Sequence, residues 1–111
     1  MQTSFVAVLE RSLAVTGEAH TEPYEAGWAR EARWFVNIEE LRGADTEVSL
    51  YTELSPDGIN WCKPPDDWPA VRSPGLQTWR VREFGQFLRL GCEVAGDDAA
   101  AVISVHLVVK G

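Results

Sequence analysis

Two histidines, His20 and His106, and two cysteines, Cys62 and Cys92, are all that the chain offers for imidazole or thiol chemistry. Hydrolysis by a serine needs a nucleophile, an imidazole and an orienting acid, and no Gly-x-Ser-x-Gly elbow presents such a serine. His20 lies in a polar segment, and His106 lies in an alternating apolar run, where a histidine packs instead of reacting. The cysteines are too few and too widely spaced for a disulfide framework or a zinc site, so they read as free and mostly buried thiols. The acidic pairs Glu39-Glu40, Asp66-Asp67 and Asp97-Asp98 could serve a glycosidase only from one side, yet neighbours on a strand point to opposite faces. They read as solvated turns. Asp57 could begin a calcium loop, but Ile59, Asn60, Trp61 and Cys62 bring no further carboxylates in register. A glycine-rich phosphate loop and a Cys-x-x-Cys pair are also missing, so no cofactor, metal or enzymatic activity is expected.

What remains is recognition by aromatic rings. The chain carries five tryptophans, Trp28, Trp34, Trp61, Trp68 and Trp79, a high density that needs an explanation. Trp34 and Trp79 are expected to fill the core. Trp61 and Trp68 flank or occupy a run with four prolines, Cys62 to Gly75, which cannot be a central strand because proline removes backbone donors. Tryptophans there either fold the loop onto a sheet edge or anchor a partner, and rings so placed also suit stacking on a sugar. The expected partner-binding residues are Trp61, Pro64, Pro65 and Trp68, together with Trp28.

The elements that position these residues are strands. Ser55-Pro56-Asp57-Gly58 is a structural turn: Pro56 presets φ, Asp57 can bond the neighbouring backbone and Gly58 can take the left-handed conformation. Further turn signals at Gly17, Gly27, Gly43-Ala44-Asp45, Gly85 and Gly96-Asp97-Asp98 leave no room for long helices. Leu9 to Val15 and Ile38 to Arg42 tempt a helical reading but are too short to stand alone. Between the turns, alternation sets Trp34, Val36 and Ile38 on one face, and likewise Val48, Leu50, Thr52 and Leu54 opposite Glu47, Ser49, Tyr51 and Glu53. It also turns Leu88, Leu90, Cys92 and Val94 inward, and Ile103, Val105, Leu107 and Val109. Val102, His106 and Val108 make the last run apolar on both faces, which predicts a strand that lies centrally or has its second face covered by a neighbour. The expected fold is all-β: a single antiparallel β-sandwich or jelly roll of seven or eight strands over residues 1–111. Residues 1–17 form a strand or an arm, and 62–75 form a proline-rich surface loop.

With 111 residues, 45% hydrophobic and 24% charged, the chain has one domain's worth of core and shallow pockets at most. Its 17 acidic against 10 basic residues give a formal charge of −7, which repels phosphate backbones, so neither nucleic acid nor a membrane is an expected partner. Met1-Gln2-Thr3-Ser4-Phe5 has no secretory pattern, and synthesis in the cytoplasm is expected.

From about Ala32 to Lys110 the order of segments resembles small β-sandwich virion proteins of tailed bacteriophages and prophages. The matching pieces are Trp34 to Ile38, then Val48 to Trp61 with its Ser55-Pro56-Asp57-Gly58 turn, then Phe87-Leu88-Arg89-Leu90, then Ile103 to Lys110. The resemblance implies a non-enzymatic building block of a particle, such as a capsid decoration or accessory subunit located on the virion. It would bind the major capsid or another particle protein, as a homo-oligomer on the particle. The Pro64 to Gly75 loop is not part of the shared pattern. The alternative is a carbohydrate-binding β-sandwich module with Trp61, Trp68 and Trp79 as a stacking platform.

Overall fold

The computed structural model describes residues 4–111, and these form seven β-strands with no helix. Two long strands dominate: β4 (Glu31–Ser55) and β7 (Phe87–Lys110), which pair antiparallel over almost their whole length. Midway along this ribbon the register breaks between Arg42 and Ala44 and between Ala44 and Glu47. Positive φ values gather there, at Gly43 (+97°), Asp45 (+57°), Gly96 (+133°) and Asp98 (+50°). A side chain on Gly43 would also meet the Asp97 carbonyl at 2.8 Å, so only glycine fits that bend. The expected turns at Gly43-Ala44-Asp45 and Gly96-Asp97-Asp98 are therefore corners within continuous strands, because bulges and left-handed residues bend a pair without ending it.

The corner folds the ribbon back on itself. Trp34 and Thr52, each nine positions from Gly43 on opposite sides, meet across the interior, where the Trp34 Nε1–H donates to Thr52 Oγ1 at 3.0 Å. One sheet thus supplies both layers of a sandwich. The first layer runs β1 (Ser4–Val15), the second half of β7, the first half of β4, then β6 (Gly75–Val81). The second layer sets β2 (Gly17–His20) and β3 (Tyr24–Glu25) against the first half of β7, which pairs with the second half of β4 and then β5 (Ala70–Val71). Seven antiparallel strands match the expected all-β class. Of segment 1–17, residues 1–3 lie outside the described residues, and Ser4–Val15 is an edge strand.

Period-two alternation fills the space between the layers as expected. Trp34, Val36, Ile38, Val48, Leu50, Leu90, Cys92, Ile103, Val105 and Leu107 are all buried in one cluster. Each large side chain of this kind contributes about 1.5–3 kcal/mol by leaving water. Both cysteines are free as expected, and burial pushes the Cys92 thiol up to about 11; Cys62, expected to be buried as well, is exposed because it lies in the loop beyond β4. β7 is central, flanked by β1 and β4, in agreement with its two apolar faces.

Three expectations change. Glu39 and Glu40 are not in a turn: they sit in β4 beside a bulge, where Glu39 accepts hydrogen bonds from the Ser12 and Ser104 hydroxyls and Glu40 pairs with Arg42. Tyr51 and Glu53, on the face that alternation sends to solvent, are both only 9% exposed, because His20 and the segment after Trp61 lie over them. The proline-rich loop also contains a short edge strand, β5, made by Ala70 and Val71.

Candidate functional site

The turn that launches the loop is held from within. Asp57 Oδ1 accepts from the Ile59 and Asn60 amides at 2.9 and 2.8 Å, and Asp57 Oδ2 accepts from Asn60 Nδ2 at 2.7 Å. These donors hold the Asp57 carboxyl well below the usual carboxylate range. Ser55 Oγ accepts from the Asp57 and Gly58 amides, and Gly58 takes a φ of +79°. A two-way backbone pair between Leu54 and Cys62 closes the turn. The expected structural turn is in place, and it fixes where the chain leaves β4.

Beyond this turn the loop divides its aromatic residues between two sides of the sandwich. Trp61 lies on the outer face of the second layer, with the Arg89 guanidinium 4.2 Å from its ring centre. Next to it, Lys63 Nζ sits 4.6 Å from the Tyr51 ring centre. Arg89 Nη2 also donates to Glu53 Oε2 at 3.2 Å. His20 Nε2 approaches Glu53 Oε1 within 2.8 Å but without hydrogen-bond alignment, so this buried oxygen and Arg89 Nε go unbonded. Tyr51 fits because position 91 is glycine: a Cβ there would fall 2.1 Å from the ring. Burial and the surrounding carboxylates raise the Tyr51 phenol to about 12. Lys63 and Arg89 on this face thus each already have a ring or a carboxylate.

Trp68 goes elsewhere. With Pro64 and Trp79 it lines an open groove of about 550 Å³ at the mouth between the layers, floored by Thr52 and Leu54. Trp79 Nε1–H donates to Thr52 Oγ1 at 2.9 Å, so one hydroxyl holds both Trp34 and Trp79 in place. Asp66, Asp67, Arg80 and Arg82 rim the groove. Trp79, expected in the core, is half-buried and serves the core and the groove together. Pro65 is exposed in the loop and is absent from the groove lining. Trp28 is also absent from the groove lining; it is 45% exposed and packed edge-on against Phe5 with ring centres 5.8 Å apart. The five expected partner-binding residues therefore occupy separate places, and only Trp68 and Pro64 share a concave surface. His20 and His106 are likewise on different layers, on β2 and β7.

No protein-family model matches the chain, and neither does any curated protein. Solved structures do match in fold. The PBSX exported protein XepA superposes with a TM-score of 0.68 at 14% identity, over 95% of this chain and 36% of that one. The SPBc2 prophage-derived protein YomS gives 0.59 at 13% identity, over 100% of this chain and 96% of that one. Both of these structural neighbours are phage-derived. This chain spans about a third of XepA but nearly the full length of YomS. Dimeric latent PorU from Porphyromonas gingivalis has the same fold in a segment, with a TM-score of 0.57 at 12% identity, over 99% of this chain and 13% of that chain. The sandwich is thus shared more widely than any one role.

Sequence reasoning did not single out Arg33 and Arg80. They are direct cross-strand partners on β4 and β6, on the outer face of the first layer. Their own strands carry a signal, since both alternate with core residues, but strand pairing alone makes them neighbours.

Proposed function

We propose that this chain is a non-enzymatic structural subunit of a phage or phage-like particle, a decoration or accessory protein docked on the shell. The observation that carries this reading is the end-to-end likeness in fold to a prophage-derived protein, 100% of this chain on 96% of that one. The groove gives the reading a contact surface. Trp68 and Trp79 present half-buried rings beside Pro64, and rigid aromatic anchors of this kind carry most of the affinity in protein interfaces. Pre-ordering by the Asp57 turn and the Thr52 hydroxyl lowers the entropic cost of docking. The partner in this reading is the major capsid protein or another particle protein, with the subunit residing on the virion.

The test is purification of the tagged protein from its native host with imaging of any particle that accompanies it. The expected result is particle-bound protein, and Trp68→Ala weakening that binding by about thirtyfold, equivalent to about 2 kcal/mol. Retention of wild type on a polysaccharide column that Trp68→Ala abolishes, with no particle-bound form, would replace this reading with a carbohydrate-binding module.

A further inference from the structure

The net charge of −7 hides a segregation that the strand register makes visible. Arg30, Arg33, Arg80, Arg82 and Lys110, five of the chain's ten lysines and arginines, line one groove of about 670 Å³ on the outer face of the first layer. Glu31 and Glu83 lie in the same lining, which leaves an excess of three positive charges. Among the described residues none of the five forms an ion pair; Arg33 reaches only the Thr78 hydroxyl, at 3.1 Å. Arg33 and Arg80 stand directly opposite each other across β4 and β6, an arrangement of like charges that destabilises a sheet unless something neutralises it. Phe35 and Val108 give the groove an apolar floor.

The far end of the same layer has the opposite character. At the corner, Arg42 is taken by Glu40 at 2.9 Å and Arg72 by Glu47 at 2.7 Å. Asp45, Asp97 and Asp98 are exposed there with no cation among the described residues bound to them. From Arg33 to Ala44 is eleven residues of β4, or roughly 35 Å at strand rise, so a molecule cannot bring its own corner to its own groove. A second molecule can.

We propose that the basic groove receives the acidic corner of another copy of this chain, joining copies head to tail. Such a contact uses two different surfaces, so it propagates: it closes into a ring where the rotation allows and otherwise extends as a filament. Desolvation over Phe35 and Val108 strengthens each Arg–Asp pair relative to one in open water. The inference gives a geometry to the homo-oligomer of the particle-subunit reading, but it needs no shell protein. Self-association of purified protein therefore tests it separately from docking on a particle.

The experiment is sedimentation velocity on four proteins: wild type, Arg33→Glu/Arg80→Glu, Asp97→Lys/Asp98→Lys, and an equimolar mixture of the two variants. Wild type is expected to associate at about 20 mM salt and to lose at least tenfold in association constant by about 0.5 M. Each variant alone should stay monomeric, because its groove and corner then carry the same sign. The mixture should associate again, since each variant supplies what the other lacks. Circular dichroism confirms that both variants are folded, and the wild-type salt series stands without them. A wild type that stays monomeric at low salt, association that rises with salt, or a mixture that fails to associate would overturn the proposal. So would wild type that binds a DNA duplex or an anionic polysaccharide through Arg33 and Arg80 while remaining monomeric.

Discussion

The two outer faces of the sandwich solve the same problem in opposite ways. On the second layer, Arg89 is shared by Glu53 and Trp61, Lys63 rests on Tyr51, and Glu53 sits between Arg89 and His20. On the first layer, Arg33 and Arg80 face each other with no carboxylate bound to either among the described residues. A face whose charges are neutralised internally supports the fold; a face whose charges are left open holds binding energy in reserve. The contrast separates residues that stabilise this molecule from residues that can recognise another.

Both faces hang on the same interior, so the largest effect comes from removing its centre. Trp34 is 0% exposed and bonds Thr52 across the layers, and Trp34→Ala should cost about 3–5 kcal/mol in urea unfolding. A loss under about 1 kcal/mol would mean that the layers do not depend on that contact. Next comes the face whose charges are paired internally. Gly91→Ala should displace the Tyr51 ring and cost about 1–3 kcal/mol, with Tyr51→Ala largely cancelling the difference in a double-mutant cycle. Glu53→Gln should cost about 1–3 kcal/mol, because it leaves the half-buried Arg89 without a carboxylate. On the open face, Arg80→Ala should change stability by less than about 0.5 kcal/mol, and toward greater stability, since it relieves the pairing with Arg33. Equal costs for Glu53→Gln and Arg80→Ala would erase the distinction between the faces.

The burial of the second face can also be read in alkali. Tyr51 and Cys92 have folded values raised to about 12 and about 11 by burial. Their contribution is complete below the unfolded values of about 10 and about 9, and it is lost as pH rises through the folded ones. Thermal midpoints should fall between about pH 9 and 12, and Tyr51→Phe should remove the upper part of that fall. An identical profile in Tyr51→Phe would show that the ring titrates freely and that the second face is open after all.

Much of this molecule is legible in one strand at a time. Alternation is a property of the extended backbone, so the inward set Val36, Ile38, Leu50, Leu90, Cys92, Val105 and Leu107 follows from the order of residues alone. The Asp57 turn is legible for the same reason: every donor that holds it lies within three residues. The limit appears where a strand's second face is covered by something distant. Tyr51 and Glu53 alternate outward and are nonetheless buried, because residues as far off as His20 and Arg89 close over them.

Composition and periodicity by themselves determined an all-β sandwich, its core and the two apolar faces of its last strand, since these depend on local geometry and on the removal of apolar side chains from water. Only the tertiary structure decided that Gly43 and Gly96 fold one sheet over instead of ending strands. It alone sent Trp61 and Trp68 to different sides and set Arg33 against Arg80, forty-seven residues away. Pairing between strands depends on register and corner geometry across the whole chain, and no single strand carries the identity of its partner.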